Sequence, residues 1–305
     1  MQGQHQFHHQ AVTPDQALII CRFVVDGCAL LLWGAHAYLW AGVAPALAAK
    51  LQRQLNSLTA SAVSLLLVSA ACKIPLTAAM LGDGWSDAAN LSLIHDLVMD
   101  TESGWALAVQ MLLALVLTIT YLSLPGFRLV CLTVGAGLFL ASLTMSGHAA
   151  MHSGLLGLLH PLNDGLHVLA VGAWIGALFP VFLLLKRPVK GEDWEASIAA
   201  LMRFSTFGHG AVALTLVTGV LNSWMILGRV WLDVTVPYQR LLQLKIVVAL
   251  IMVIIACINR YGFVPLMSDD RNRALRLLRL GTVLEIGLAI IAIALVAVFG
   301  VMEPR

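Results

Sequence analysis

Eight runs of about twenty or more mostly apolar residues follow one another along this chain, near 17–41, 57–81, 104–124, 127–147, 163–185, 204–228, 239–259 and 279–300. About 20 helical residues cross a bilayer core roughly 30 Å thick. Backbone polar groups in hydrocarbon must be paired within their own segment, so each run is read as a helix. The expected fold class is all-α, a polytopic membrane bundle of eight transmembrane helices. Composition adds exclusions. Of 305 residues, 11% are charged, 60% are hydrophobic and the formal net charge is +2. A soluble domain carries roughly 25% charged residues. Too few charges are present to cover a soluble enzyme, and no basic surface exists for nucleic acid.

Loop charges orient the helices, because Lys and Arg collect on the cytoplasmic side. The stretches after the first, third, fifth and seventh spans hold Lys50, Arg53, Arg128, Lys186, Arg187, Lys190, Arg203, Arg260, Arg271, Arg273, Arg276 and Arg279. Only Arg229, Arg240 and Arg305 lie near span ends on the other side. The bias predicts both termini outside. The loop 82–103 agrees, with Asp83, Asp87, Asp96, Asp100 and Glu102 and no basic residue. The first fifteen residues lack the basic start of a signal peptide, and the first apolar run is too long for one. The expected layout is an external tail (1–16), helices one to four (17–162) and helices five to eight (163–305). The five cysteines stand singly in apolar runs, which argues against disulfides or a zinc ribbon.

Histidine is the informative residue. On this topology His5, His8, His9, His95, His148, His152 and His160 all fall in external segments, and His167 about one turn inside the fifth span. In Ser146-Gly147-His148-Ala149-Ala150-Met151-His152, a continuing helix sets the two imidazoles and the thioether on one face. Imidazole with thioether suits copper, since soft sulfur favours Cu(I) and imidazole accepts either oxidation state. Anchoring of helix ends at the headgroups explains the same residues equally well. A second cluster, His160-Pro161-Leu162-Asn163-Asp164-Gly165-Leu166-His167, puts Asp164 and His167 three apart, with Pro161 read as the first turn of a helix. Asp164 could ligate metal or orient His167. A helix-start carboxylate beside a structural histidine is the alternative. The expected outer site is therefore His148, Met151, His152, His160, Asp164 and His167.

Ionisable groups inside spans are costly and face a partner or a cavity. Arg22, Asp26, Lys73, Asn222 and Lys245 lie toward the outer half. His36, His209 and Glu285 lie at similar depth toward the inner half, as an inner metal site or proton relay, or as a structural network. Gly172, Gly176 and Gly219 read as close helix packing.

The second half of the chain resembles the CopD (PcoD) family of bacterial inner-membrane copper-resistance proteins. The likeness runs through Ser146-Gly147-His148-Ala149, Leu166-His167, Trp174-Ile175-Gly176-Ala177-Leu178, Arg203-Phe204-Ser205 and Thr218-Gly219. It continues with Pro237-Tyr238, Leu241-Leu242-Gln243-Leu244-Lys245, Asn259-Arg260 and Leu284-Glu285. Gln239 stands where family patterns often have glycine. The resemblance implies copper handling at the inner membrane and a periplasmic carrier of the CopC type as partner.

Three functions follow as expectations, in this order. The first is copper translocation without nucleotide, since no P-loop is present, contributing to copper resistance or homeostasis with no enzymatic step. The second is a copper-binding scaffold or sensor that docks a carrier through loop 82–103. The third is a di-haem membrane cytochrome or copper reductase, with histidines paired at two depths.

Overall fold

The computed structural model describes residues 12–145, 154–187, 193–228 and 233–303. All regular structure among them is helical, and eight segments are long and apolar enough to cross a membrane. Helix α1 (Pro14–Ala41) starts where Thr13 and Gln16 form a capping box, with Pro14 at its first position. That pairing satisfies donors a first turn otherwise leaves over. Helix α2 (Pro45–Leu81) follows at once. Its 37 residues rise about 55 Å at 1.5 Å per residue, so one end projects beyond a bilayer core. Lys50 and Arg53, expected in a loop, ride on this extension.

The acidic stretch 82–103 is also largely folded. A short 3-10 turn (Trp85–Ala89) leads into the amphipathic helix α3 (Leu91–Asp100), capped by Asn90. Trp85 Nε1 donates to the carbonyl of Val12, 2.9 Å, tying this segment to the start of α1. Helices α4 (Glu102–Ser123) and α5 (Arg128–Ser142) form the next hairpin. Helices α6 (Gly154–Ile175) and α7 (Leu178–Leu185) make one crossing between them. Helix α8 (Trp194–Leu227), α9 (Pro237–Cys257) and α10 (Arg271–Phe299) complete the chain.

One sequence expectation is corrected here. The fifth crossing does not begin near residue 163 with Pro161 in its first turn. It begins at Gly154, and Pro161 lies inside the helix, where it cannot donate to the carbonyl of Gly157. Membrane helices tolerate such a break when neighbours take up the freed group. Two consequences follow. His160 is a helical residue only 1% exposed rather than an external one, and Asp164 is a full ten residues from the helix start, beyond reach of its dipole.

Helix α1 is the hub. It packs against α2, α5, α6 and α10, while α4 closes the first four crossings by touching α2 and α5. Glycine explains the α1–α6 contact. A Cβ at Gly34 would stand 1.8 Å from the Gly172 carbonyl oxygen, and one at Gly176 would stand 2.3 Å from that of Leu30. Trp33 Nε1 fastens the same seam by donating to the Leu169 carbonyl, 2.9 Å. The basic end is gathered by Lys50 and Arg187 on Asp193 (2.8 and 2.9 Å), Arg279 Nε on the Leu185 carbonyl, 2.8 Å, and Tyr38 on the Ala200 carbonyl, 2.9 Å.

Candidate functional site

The polar residues of α6 face α8. Asn163, Asp164 and His167 occupy adjacent turns, and Thr218 and Asn222, one turn apart on α8, receive them. Asn163 Nδ2 donates to the Thr218 carbonyl at 2.9 Å and to Asn222 Oδ1 at 2.6 Å. Asn222 Nδ2 then donates to Asp164 Oδ1, 2.8 Å. His167 Nδ1 lies 3.0 Å from Thr218 Oγ1. The Thr218 hydroxyl spends its one proton on the Leu214 carbonyl, so its oxygen must accept from His167. That puts the proton on Nδ1 and leaves the Nε2 lone pair for a ligand, the arrangement a metal-binding histidine needs. Gly219 makes room for the ring, since a Cβ there would meet His167 Cε1 at 3.2 Å.

Beyond this seam lies a charged layer. Asp26 of α1 interacts electrostatically with Arg22, Lys73 and Lys245, and Asp164 interacts with Lys245 and Asp26. Lys73 Nζ donates to Gln110 Oε1, 2.8 Å, and Gln110 Nε2 reaches the Ser142 carbonyl, 3.3 Å. Lys245 also stands 5.9 Å over the Phe299 ring. No ion pair within 4 Å joins these groups among the described residues. Arg22 and Asp26, four apart on α1, thus interact at longer range than a contact pair.

At the acidic end Met99, Asp100, Thr101, Glu102, Trp105 and Met145 line a cavity of about 460 Å³. Met99 of α3 and Met145 at the end of the fourth crossing both line it. Met145 immediately precedes the segment carrying His148, Met151 and His152. Those three lie outside the described residues, as do His5, His8 and His9. His95 is exposed, 3.5 Å from Asp96.

The inner trio is not assembled. Among the described residues no three His, Cys, Asp or Glu side chains form a group able to hold a metal ion, which also means that His160, Asp164 and His167 do not form a three-ligand set by themselves. His36 Nδ1 bonds to the Leu32 carbonyl of its own helix, 2.8 Å, and the ring lines a cavity between α1, α2, α4 and α5. His209 is exposed and bonds to the Tyr261 hydroxyl, 2.9 Å. Glu285 is 3% exposed and accepts from Asn259 Nδ2, 3.0 Å. Its Oε1 is buried without a hydrogen bond among the described residues. Similar depth along the chain does not gather these three, and each bonds to a different partner.

Two family models cover much of the chain: copper resistance protein D-like, N-terminal domain, over residues 13–158, and copper resistance protein D over residues 198–299. The copper resistance protein D of Pseudomonas syringae pv. tomato is 31% identical over 262 residues, 81% of this chain and 83% of that protein. The chain belongs to the copper resistance protein D family. Inner membrane protein YebZ of Escherichia coli is 34% identical over 241 residues, 78% of this chain and 81% of that protein. Copper transport protein CutJ of Bacillus subtilis is 27% identical over 203 residues, 63% of this chain and 36% of that longer protein. No solved structure matches. This family member is thus a copper-related, multi-span membrane protein. Its α6 seam, His160 to His167, lies between the two family-matched segments.

Asn163 and Thr218 were missed from sequence, as were Met99 and Met145. Asn163–His167 and Thr218–Asn222 are both polar pairs four apart on apolar helices, a pattern that signals two facing stripes. The two methionines had no such signal, being 46 residues apart on separate helices.

Proposed function

We propose that this protein captures copper at its acidic end and moves it across the bacterial inner membrane, both termini and the acidic end facing the periplasm and the basic end the cytoplasm. The polar seam between α6 and α8 carries the reading, because it presents an oriented imidazole and a carboxylate within hydrocarbon, where such groups are retained for a purpose. Met99 and Met145, with His148, Met151 and His152, are the soft and imidazole donors of capture. His167 Nε2, with His160 and Asp164 nearby in sequence, receives the ion next. Copper arriving beside Asp164 competes with Lys245 for that carboxylate. A CopC-type carrier docked on the acidic segment 82–103 delivers the ion, and no catalytic step is involved.

The test is copper flux into proteoliposomes against copper binding, in wild type and His167→Ala. Flux that falls at least tenfold in the variant supports transport. Normal binding with no flux in wild type replaces it with a scaffold or sensor. A Soret band in the purified protein would favour a cytochrome.

A further inference from the structure

The cavity beside His36 has chemistry that a copper path does not use. It measures about 260 Å³ and is lined by His36, Gln52, Arg53, Asn56, Tyr121 and Arg128, with Ala49 and Thr59 completing the wall. Two guanidinium groups face it and no carboxylate does. Neither arginine forms an ion pair among the described residues, and Arg128 Nε is buried without a hydrogen bond there. The walls are fixed: Arg128 sits 4.7 Å over the Tyr121 ring, and the Tyr121 hydroxyl donates to Asn56 Oδ1, 3.1 Å. Arg53 Nε reaches back to the Ala49 carbonyl at 3.3 Å. Arg128 is the first residue of α5, whose start has no side-chain cap, so the uncapped helix start adds positive potential at the same place. Such a cavity repels a metal cation. The two guanidinium groups therefore weigh against a copper ion beside His36.

We infer that this cavity binds a phosphate group through Arg53 and Arg128. Guanidinium forks match phosphate oxygens in pairs, and basic pockets between helices at the cytoplasmic side of a membrane take anionic headgroups. The volume admits one phosphate with a short polar extension. His36 donates through Nδ1 to its own helix, so Nε2 accepts a hydroxyl of that extension. The site lies on the projecting part of α2, at headgroup level when α2 spans the core. The phosphate is either the phosphodiester of an anionic lipid or free inorganic phosphate.

Native mass spectrometry of the purified full chain in mixed phosphatidylglycerol and phosphatidylcholine micelles tests the lipid source. Titration with inorganic phosphate against chloride in lipid-free detergent tests the other. Wild type should retain phosphatidylglycerol at least roughly tenfold over phosphatidylcholine, and the Arg53→Gln/Arg128→Gln double variant should lose that preference. Asn56→Asp keeps the acceptor for Tyr121 and adds a repelling carboxylate; it should lose retention by a similar factor while unfolding like wild type. Arg273→Gln, an exposed arginine at the same end, should change nothing. Arginine-dependent binding of inorganic phosphate without lipid retention supports the site with a soluble source. Absence of both preferences, or an equal loss in Arg273→Gln, overturns it.

Discussion

Thr218→Val is the substitution that most directly tests the oriented histidine. Valine matches the shape of threonine and leaves the Thr218 backbone carbonyl, which Asn163 uses, in place. It removes only the hydroxyl that accepts from His167 Nδ1 at 3.0 Å. The ring is 8% exposed, so water does not readily replace that acceptor. Leaving a buried donor unpaired costs about 1–3 kcal/mol. The Thr215 carbonyl, which also bonds to the ring, is the alternative that keeps the loss toward the lower end of that range. The ring can escape by moving its proton to Nε2, but then the lone pair that would meet copper is gone. A ring that keeps its Nδ1 proton bears the deficit with and without copper and shows it as lost fold stability. A ring that has moved the proton must return it to bind copper, which weakens affinity by up to roughly 5- to 150-fold at about 1.4 kcal/mol per tenfold. Loss of such an orienting partner typically costs about 10- to 100-fold in metal affinity. The assay is competition for Cu(I) against a chromophoric chelator, with thermal unfolding in detergent as the folding control. Thr218→Ser, which keeps the hydroxyl, should bind within about threefold of wild type. Unchanged affinity in Thr218→Val alongside lost affinity in His167→Ala would refute the orientation argument. Unchanged affinity in both would remove His167 from the path.

Three further outcomes follow from the geometry. Gly34→Ala puts a methyl group 1.8 Å from the Gly172 carbonyl oxygen, so α1 and α6 must separate; overpacking of this kind costs about 1–3 kcal/mol, and unfolding in detergent should shift to lower temperature. Gly27→Ala, with open space around it, should not shift. Replacing Met99 and Met145 together by leucine keeps the apolar volume and removes both thioethers; Cu(I) capture at low concentration should weaken by roughly tenfold or more, measured by the same chelator competition. Hydrogen bonding from Lys50, with the charges of Lys50 and Arg187, holds the Asp193 carboxyl below its ordinary range, against a smaller desolvation effect. A depressed folded value means that this link stabilises above the unfolded carboxyl pKa of about 4 and fades as pH falls through the folded value. Asp193→Asn should therefore unfold earlier than wild type near neutral pH, with the gap closing below about pH 4, read from unfolding curves across pH 3–7.

Hydropathy alone determined that eight helices cross a membrane, because unpaired backbone in hydrocarbon leaves no other option. Helix ends were less legible. The starts of α2 and α6 lie 12 and 9 residues before the expected span limits, since hydrophobicity marks where lipid begins rather than where hydrogen bonding does. Pro161 misled for a related reason: its preference for a first turn is strong, yet packing kept it inside α6.

Of the histidine-rich clusters, the second lies on α6, where Asp164 and His167 share one seam against α8. Their immediate partners, Thr218 and Asn222, come from more than fifty residues away; the matching four-residue spacing marks a polar stripe on each helix but does not say that the two helices meet. His36, His209 and Glu285 show the opposite case. Sequence could set their depth, because rise per residue is constant along a helix. It could not set their rotation, which depends on which neighbour each helix packs against. Glycines at 34, 172 and 176 decided that for α1 and α6 by allowing backbone contact. The tertiary structure set His36 in a cavity that Arg53 and Arg128 also line, a neighbourhood that depth along the sequence could not foretell.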